Sequence, residues 1–369
     1  MASTNGNLLP HQKKALEYVE RQASKKARAA ERVIKDILAS YGLPAALYEK
    51  ALQNIRQNAR VAIHFHPERL TKNGQSVAEG LLEAGTFKTQ FETGISSGSP
   101  TAFPGGERDF WERRFFGGAY HQNGLSPAGR PRYGALALMG HPDGPSPRFG
   151  SCYFLLYADV NKRSSFTFGG SQDDLEMERT GSHQELAPCI APLFTEVIKG
   201  NGVLGMEGLT VNTLLEHLAN RLPAPFPRPP GRPLGNALDS FIEAQVHGEV
   251  SLRNDVERLV ADPAFRGTVM EELFYLISSR YEIELDWHPG FTLPAQKVPE
   301  AFRGYPTQAL ATRIAGNGLL DAARIGSAAN AFTLQPELWH EWDTFDEGLT
   351  SFRRLWHVLV KYGAPPGTP

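Results

Sequence analysis

The sequence predicts an α+β protein in which a strand-rich middle lies between helical N-terminal and C-terminal parts. Apolar residues recur at helical spacing among Lys, Arg and Glu over residues 8–60. From residue 61 onward, short apolar runs are separated by Gly, Pro and Ser, which is typical of strands and loops. We therefore predict a helical region at 1–60, a functional domain at 61–295, and a mainly helical region at 296–369.

Composition excludes several classes of protein. The 369 residues carry a formal net charge of −2, which gives no general attraction to nucleic acid or to an acidic membrane. The two cysteines are too few for a disulfide scaffold or a cysteine-based zinc site. The start MASTNGNLLPHQKK lacks the apolar core of a signal peptide, and no run has the roughly 18 apolar residues of a membrane span. We expect synthesis in the cytoplasm, and export without a classical signal stays open.

The N-terminal helices are basic. Residues 8–60 contain eleven Lys or Arg against five Asp or Glu, so this segment has a charge of about +6. A solvated helical face explains this pattern, and so does a docking surface for an acidic partner. Gly42 and Pro44 mark the break between two helices.

The middle of the chain alternates strand candidates with loops. Strands are predicted at 61–66, 133–139, 149–157, 164–168 and 241–247, and helices at 75–84 and at 253–262, before Pro263. Two segments are predicted to lack regular structure: the Gly- and aromatic-rich stretch 94–132, whose length is typical of loops that close over a ligand, and the Pro-rich stretch 222–233, a spacer.

The stretch VAIHFHPERL places two histidines and an arginine at the end of a predicted strand. Because side chains alternate along a strand, His64 and His66 share one face, and Arg69 can turn back beside them. Three roles are open: hydrogen bonding to a ligand, a structural role, or metal binding in a hydrolase. The metal role needs a further ligand, to be drawn from His121, His247 or His288.

Two further stretches offer ligand-binding groups, each with a structural alternative. The loop QFETGISSG presents hydroxyls between glycines at Thr93, Gly94, Ser96 and Ser97, and RFGSCYFLL begins a strand with Ser151. The aromatic stretch RRFFGGAYH contributes Phe115, Phe116 and Tyr120, either as packing or as a stacking platform for a planar ring.

The stretch FIEAQVHG places three polar side chains on one face of a predicted strand. Glu243, Gln245 and His247 alternate with Ile242, Ala244 and Val246. An amphipathic strand with a solvated side accounts for this pattern, and so does a carboxylate displayed in a cleft.

Taken in order, these stretches resemble the ADP-ribosyltransferases. That family has a first strand ending in Arg or His, a helix with a Gly-bounded loop, a strand region with Ser or Thr, and a strand with a catalytic Glu. The matching stretches here are HFHPER (64–69), LLEAGTFKTQFETGISSG (81–98), RFGSCYF (148–154) and EAQVHG (243–248). The resemblance implies an α+β fold with a split antiparallel β-sheet core.

The same resemblance implies NAD as co-substrate and a set of site residues. Glu243 would stabilise the positive charge that develops on the ribose, and Arg69 would bind the pyrophosphate. The other residues implied to bind NAD are His64, His66, Thr93, Gly94, Ser96, Ser97, Phe115, Phe116, Tyr120, Ser151, Gln245 and His247.

The resemblance also implies which protein side chain accepts the ADP-ribose. TFKTQFETGIS, RDFWERRFFGGAY and FIEAQVHGEVSL are similar to a bacterial family of unknown function, and similar proteins include secreted effectors or toxins that ADP-ribosylate ubiquitin on threonine. The order Glu-Ala-Gln reverses the Gln-x-Glu of many arginine-modifying members, which favours a Ser or Thr hydroxyl as acceptor. A non-enzymatic protein that recruits partners through its basic helices and Pro-rich segment is the remaining alternative.

Overall fold

The computed structural model describes residues 8–95, 102–122, 124–169, 176–227, 238–339 and 344–367. Within these residues the fold is α+β, with a mostly antiparallel sheet flanked by helices. This confirms the predicted fold class at that level. In the described part of the chain, no helix is long and apolar enough to cross a membrane.

The helices and strands have the following bounds. The helices are α1 (Pro10–Ser40), α2 (Ala45–Asn58), α3 (Val77–Ala84), α4 (Gln90–Thr93), α5 (Glu107–Phe115), α6 (Ala187–Ile198), α7 (Val211–Asn220), α8 (Leu252–Asp255), α9 (Val269–Tyr281), α10 (Gln308–Ala315), α11 (Ala322–Leu334) and α12 (Phe345–Tyr362). The strands are β1 (Val61–Phe65), β2 (Arg132–Leu136), β3 (Cys152–Leu156), β4 (Ser164–Phe168), β5 (Thr180–Ser182), β6 (Ile242–Val246), β7 (Val256–Ala261), β8 (Glu284–Trp287), β9 (Leu293–Pro294), β10 (Ala301–Phe302), β11 (Tyr305–Pro306) and β12 (Leu319–Leu320).

Eight strands of the described residues form one sheet in the order β5-β4-β6-β2-β1-β3-β7-β8. Neighbouring strands are antiparallel except β7 and β8, which are parallel and are joined through α9. Such a parallel pair requires a crossover connection, which a helix usually provides. β1 lies near the centre of the sheet, between β2 and β3.

The register gives the sheet two different faces. One face carries Ile63, Phe154, Phe166 and Ala244, and helices cover it to form the main hydrophobic core. The opposite face, called the polar face below, carries the side chains that alternate with these: Ser165 and Thr167 on β4, Glu243 and Gln245 on β6, Tyr133 on β2, and His64 on β1.

The N-terminal helices pack into the main core. Ile34 and Leu38 of α1 and Ile55 of α2 are buried in the same hydrophobic cluster as residues of the sheet and of α12. The first half of α1 places Ala15 and Val19 against a smaller cluster that contains α5 residues. The predicted boundary at residue 60 is therefore crossed by a continuous hydrophobic core.

Two predicted segments differ from the structure. The helix predicted after residue 252 is limited to α8, because the chain becomes strand β7 at Val256. β7 pairs with β3 and β8, and this central position suits a segment with Val256 and Val260, since β-branched residues pack well in sheets. The stretch 94–132, predicted as loops, contains α5, whose Trp111 and Phe115 are buried.

The C-terminal part is mainly helical, as predicted, and packs against the loop before β3. Trp356 of α12 is buried, and its Nε1–H donates to the carbonyl of Pro147 at 3.0 Å. The ring of Trp356 lies edge-on to His66, with 5.1 Å between ring centroids. α12 is thereby fixed beside the end of β1.

Candidate functional site

A cavity of about 290 Å³ opens where β1 ends and β2 begins. Its walls come from the turn after β1, from α3, from the segment that contains α4, and from the first residues of β2. Among the residues that line it are His64, His66, Arg69, Thr93 and Tyr133. Four of these are residues that the sequence predicted to bind a ligand.

The wall made by α3 and α4 is held by helix caps. Ser76 and Glu79 form a capping box at the start of α3, and Thr89 and Glu92 form one at the start of α4. Each box satisfies backbone N–H groups that the helix cannot bond itself. Thr89 Oγ1 also donates to the carbonyl of Pro127 at 3.0 Å, which ties this wall to the segment before β2.

The cavity lining is cationic. Arg69, Lys72, Lys88 and Arg132 lie in the lining, against one carboxylate, Glu92. Arg132 is buried, and its guanidinium donates to backbone carbonyl groups, so its role is structural. The guanidinium of Arg69 makes no hydrogen bond or ion pair with a described residue, and burial lowers the pKa of Arg69. A negatively charged group in the cavity would satisfy Arg69.

A chain of hydrogen bonds on the polar face ends at Glu243. Tyr120 Oη lies 2.6 Å from His247 Nδ1, and His247 Nε2 lies 3.3 Å from Ser165 Oγ. Ser165 Oγ donates to Gln245 Oε1 at 2.8 Å, and Gln245 Nε2 donates to Glu243 Oε1 at 3.0 Å. We call these five residues the Glu243 relay.

The donor directions in the Glu243 relay are all the same. Because Ser165 gives its hydrogen to Gln245, it must accept from His247, which therefore carries its proton on Nε2. Nδ1 of His247 then accepts from the Tyr120 hydroxyl. Burial lowers the pKa of His247 to about 3, consistent with a neutral imidazole. Every hydrogen in the relay thus points toward the carboxylate, and bonds in such a chain strengthen one another.

A second pair of hydroxyls supports Gln245. Its Nε2 also donates to Thr167 Oγ1 at 3.2 Å, and Thr167 Oγ1 lies 2.9 Å from Thr180 Oγ1 on β5. Gln245 is fully buried, so its amide cannot reach a ligand in solution. Its role in this structure is to hold Glu243.

Tyr133 is the fixed aromatic side chain of the cavity wall. Its hydroxyl donates to Glu112 Oε1 at 2.7 Å, and Arg130 Nη1 donates to Glu112 Oε2 at 2.8 Å. The guanidinium of Arg108 lies 4.7 Å from the centroid of the Tyr133 ring. In the register of β2 and β6, Tyr133 pairs with Gln245 and Ala135 pairs with Glu243, so Tyr133 and Glu243 are diagonal neighbours on the polar face.

Three histidines of the metal hypothesis, His64, His247 and His288, are hydrogen-bonded to other groups. His64 Nδ1 lies 3.2 Å from the carbonyl of Gly150, and its Nε2 accepts from the N–H of Ser146 at 3.4 Å. His288 Nε2 donates to the carbonyl of Ser151 at 2.8 Å, and His247 belongs to the Glu243 relay. Within the ranges that the structure describes, no group of three His, Cys, Asp or Glu side chains could hold a metal ion. The arrangement gives the metal hypothesis no support.

The structure places other predicted residues away from the cavity. Phe115 and Phe116 are fully buried against α1, so their rings are not presented to the cavity. Tyr120 is buried with them and anchors the Glu243 relay instead of forming a stacking platform. Ser151 is buried, and its carbonyl binds His288. The reason is the same for all four: they fill the space between elements.

The remaining predicted residues, Gly94, Ser96 and Ser97, follow α4 in the sequence. Gly94 ends α4 with φ +68°, a left-handed conformation that glycine adopts most readily, and follows the cavity residue Thr93. Ser96 and Ser97 lie outside the described residues.

The sequence assigns no role in the site to Ser165, Thr167 and Tyr133, which it predicts only as parts of strands, nor to Lys72 and Lys88 of the cavity lining. The signal for the first two is the pattern SSFTF, in which hydroxyls alternate with phenylalanines and so share a face. The sequence does not show that these hydroxyls lie beside Glu243. β4 and β6 are about 80 residues apart, and their pairing is seen only in the folded chain.

Comparison with known proteins gives a family but no activity. A family model described as "Protein of unknown function (DUF3626)" matches residues 60–362. No curated protein matches the chain. The matched range includes the cavity, the Glu243 relay and α12.

Proposed function

The chain belongs to the DUF3626 family of proteins of unknown function, and we propose that it is a mono-ADP-ribosyltransferase that transfers ADP-ribose from NAD to a Ser or Thr hydroxyl of a protein. The observation that carries this proposal is Glu243, a partly exposed carboxylate that a directed relay of hydrogen bonds holds on the polar face, diagonally across from Tyr133, which lines the cationic cavity. The order of motifs along the chain supports it further.

The chemistry requires a carboxylate that is fixed before the reaction. Breaking the nicotinamide–ribose bond develops oxocarbenium charge on the ribose, as in glycoside hydrolysis. A preorganised negative group next to that charge stabilises the transition state more than the ground state. The amide N–H of Gln245 donates to Glu243 and fixes the carboxylate, and Ser165 of the relay donates to Gln245 and fixes the amide.

The cavity offers groups that suit the rest of NAD. Arg69 can bind phosphate oxygens with two N–H groups, and Lys72 and Lys88 add positive charge. Tyr133 provides an aromatic face for a planar ring, the role first assigned to Phe115, Phe116 and Tyr120. Thr93 adds a hydroxyl. The volume is at the lower end of the roughly 300–1,000 Å³ of small-molecule sites.

The acceptor proposal is a hydroxyl, and ubiquitin is the acceptor protein to test first. The order Glu-Ala-Gln is reversed relative to many arginine-modifying ADP-ribosyltransferases. The full burial of Gln245 agrees with this reversal, because a buried amide cannot orient an incoming guanidinium. A bacterial effector or toxin that acts in a target cell is the biological setting that the resemblance implies.

The test is incubation of the protein with labelled NAD and, in parallel, with purified ubiquitin or a eukaryotic cell extract. We expect label on a discrete protein band, and fragmentation mass spectrometry should place ADP-ribose on a Ser or Thr. Label on arginine would contradict the acceptor proposal. Absence of NAD binding and of NAD consumption would contradict the proposed function as a whole.

A further inference from the structure

A cluster of arginines lies where α12 meets the loop before β3 and the β10–β11 hairpin. It consists of Arg148 from the loop, Arg303 from the hairpin, and Arg353 and Arg354 from α12, and we call it the arginine cluster. Arg354 lies over the ring of Tyr305 in the same hairpin, with 5.6 Å between its Cζ and the ring centroid. His357 lies one turn further along α12, and burial and the charges of the four arginines lower its pKa to about 2.

The arginine cluster has too few carboxylates. Asp239 forms ion pairs with both Arg148 and Arg303. Arg353 donates only to the hydroxyl of Thr350, at 3.2 Å, and the Nε atoms of Arg353 and Arg354 are buried without a hydrogen-bond partner in the part of the chain that the structure describes. Among the described residues, the guanidinium groups of Arg353 and Arg354 therefore have no carboxylate partner.

His357 is an independent indication of a missing partner. Its side chain is 4 % exposed, and neither ring nitrogen has a hydrogen-bond partner among the described residues. Buried polar groups in native proteins are almost always bonded, because an unbonded one loses its hydration without compensation. A neutral imidazole has one N–H group, and an oxyanion bound by the arginines could accept a hydrogen bond from it.

The cluster remains reachable from solvent. The side chains of Arg148 and Arg303 are 20 % and 29 % exposed, and Asp239 is 55 % exposed. An incoming anion could displace the exposed carboxylate of Asp239 without unfolding any element.

We propose that the arginine cluster is a binding site for a phosphate-bearing anion of the pyrophosphate class, with His357 at its base. Guanidinium groups match phosphate oxygens in bidentate geometry, and several together suit an anion with more than one charge. A single carboxylate such as Asp239 can satisfy only part of the cluster. The site is contributed mainly by the C-terminal part of the chain.

The arginine cluster lies next to the cavity. Trp356, three residues after Arg353 on α12, has its ring centroid 5.1 Å from that of His66, which lines the cavity. The phosphate can therefore belong to a dinucleotide that also occupies the cavity, or to a separate ligand. Only the assignment to a dinucleotide rests on the proposed function; the binding of an anion does not.

Titration calorimetry of the full chain with inorganic pyrophosphate tests the site. Arg353→Gln and Arg354→Gln should each weaken binding by about tenfold, the loss of one charge-assisted hydrogen-bonded group. Asp239→Asn removes the competing carboxylate and should tighten binding. Arg280→Gln, at an exposed arginine at the end of α9, is the matched control and should bind as the wild type does.

Thermal unfolding separates a lost site from a lost fold. Without pyrophosphate, Arg353→Gln should unfold at the same temperature as the wild type or higher, because a repelling charge is removed. With pyrophosphate, the wild type should gain thermal stability and the variant should gain less. If either Arg353→Gln or Arg354→Gln fails to fold, the pyrophosphate affinity of the other variant tests the site.

Titration of NAD into protein saturated with pyrophosphate identifies the source of the phosphate. Competition would assign the cluster to the diphosphate of NAD, and independent binding would assign it to a separate phosphate ligand; both support the site. The site is contradicted if the wild type does not bind pyrophosphate, or if both glutamine variants bind it as Arg280→Gln does. Pyrophosphate binding without any NAD binding would contradict only the proposed function.

Discussion

Glu243 is the residue on which the functional account depends, and its surroundings are built to hold one carboxylate. Strand alternation predicts from the sequence that Glu243, Gln245 and His247 share a face, and the structure has them so arranged. The sequence cannot predict that Ser165 connects His247 to Gln245, because this contact depends on which strand pairs with β6. Local periodicity identifies the face, and long-range pairing completes the site.

Arg69→Ala should mainly weaken NAD binding. Arg69 lines the cavity and its guanidinium bonds no described residue, so the guanidinium is available for a phosphate. Loss of one charge-assisted interaction of about 1.5–3 kcal/mol raises KM for NAD by roughly 10- to 100-fold, while kcat changes little. Steady-state kinetics of NAD consumption measures both parameters, with Arg280→Ala as control. A fall in kcat at unchanged KM would assign Arg69 a different role.

Gln245→Ala should reduce both stability and turnover. The substitution leaves the buried hydroxyls of Ser165 and Thr167 without the amide and releases Glu243. We expect the free energy of unfolding to fall by about 2–4 kcal/mol, from unbonded buried groups and a small cavity. Urea unfolding measures this change, and Gln296→Ala, at an exposed glutamine, should change it by less than about 0.5 kcal/mol. Equal effects of the two substitutions would show that the relay does not hold β4 and β6 together.

At the scale of elements, local patterns predicted the strands better than the segments between them. β1, β4 and β6 lie within about one residue of their predicted positions, because their apolar runs are bounded by Gly, Pro or Ser. β7 was missed because VERLVA has helix-forming residues and gains its strand form from pairing with β3 and β8. α5 was missed because its glycine-rich flanks mask a short buried helix.

Removal of residues 1–59 should destabilise the whole protein, although the family match begins at residue 60. α1 and α2 bury Ile34, Leu38, Leu52 and Ile55 in the main core, and loss of these helices would expose the apolar surface they cover. We expect the truncated chain to aggregate or to bind a hydrophobic dye. Removal of residues 1–7 is the control. A truncated chain with unchanged thermal stability would show that the N-terminal helices are a separate unit.

At the scale of the whole molecule, the number of buried titratable groups determines how stability depends on pH. Burial lowers the pKa of five deeply buried histidines: His64 and His247 to about 3, His288 to about 4, His357 to about 2, and His66 well below its ordinary value. Burial also raises the pKa of Glu68 and Asp262 to about 7. These two sets act in opposite directions.

Acidification from pH 7 to pH 5 should lower the free energy of unfolding. Below the ordinary histidine pKa of 6.5, the five histidines bind protons only in the unfolded chain, which destabilises the fold. Glu68 and Asp262 bind protons in the folded chain over the same range and oppose this effect, as do Glu112 and Glu185, whose pKa burial also raises. Among the described residues these four carboxyl groups act against eight histidines, because burial lowers the pKa of His11, His183 and His217 as well. Urea unfolding at pH 7, 6 and 5 measures the slope. Stability that is constant or increases on acidification would contradict this balance.

The whole molecule also shows what the sequence could not predict about the C-terminal part. Its helices were predicted, but their position was not, and that position brings α12 beside the end of β1 and places Arg353 within electrostatic reach of Arg69. The contact depends on Trp356, which packs between His66 and Phe291. The cavity and the arginine cluster are neighbours only in the folded chain.

The most direct test of the account is label transfer from NAD by the wild type and by Glu243→Gln, with Glu249→Gln as a matched control at an exposed glutamate near the end of the same segment. Gln keeps the shape of the side chain and removes its charge. The account predicts that Glu243→Gln binds NAD with similar affinity and transfers at least about 100-fold less label, the usual effect of removing one electrostatic stabiliser, while Glu249→Gln keeps full activity. Label transfer by Glu243→Gln at the wild-type rate would contradict the central claim.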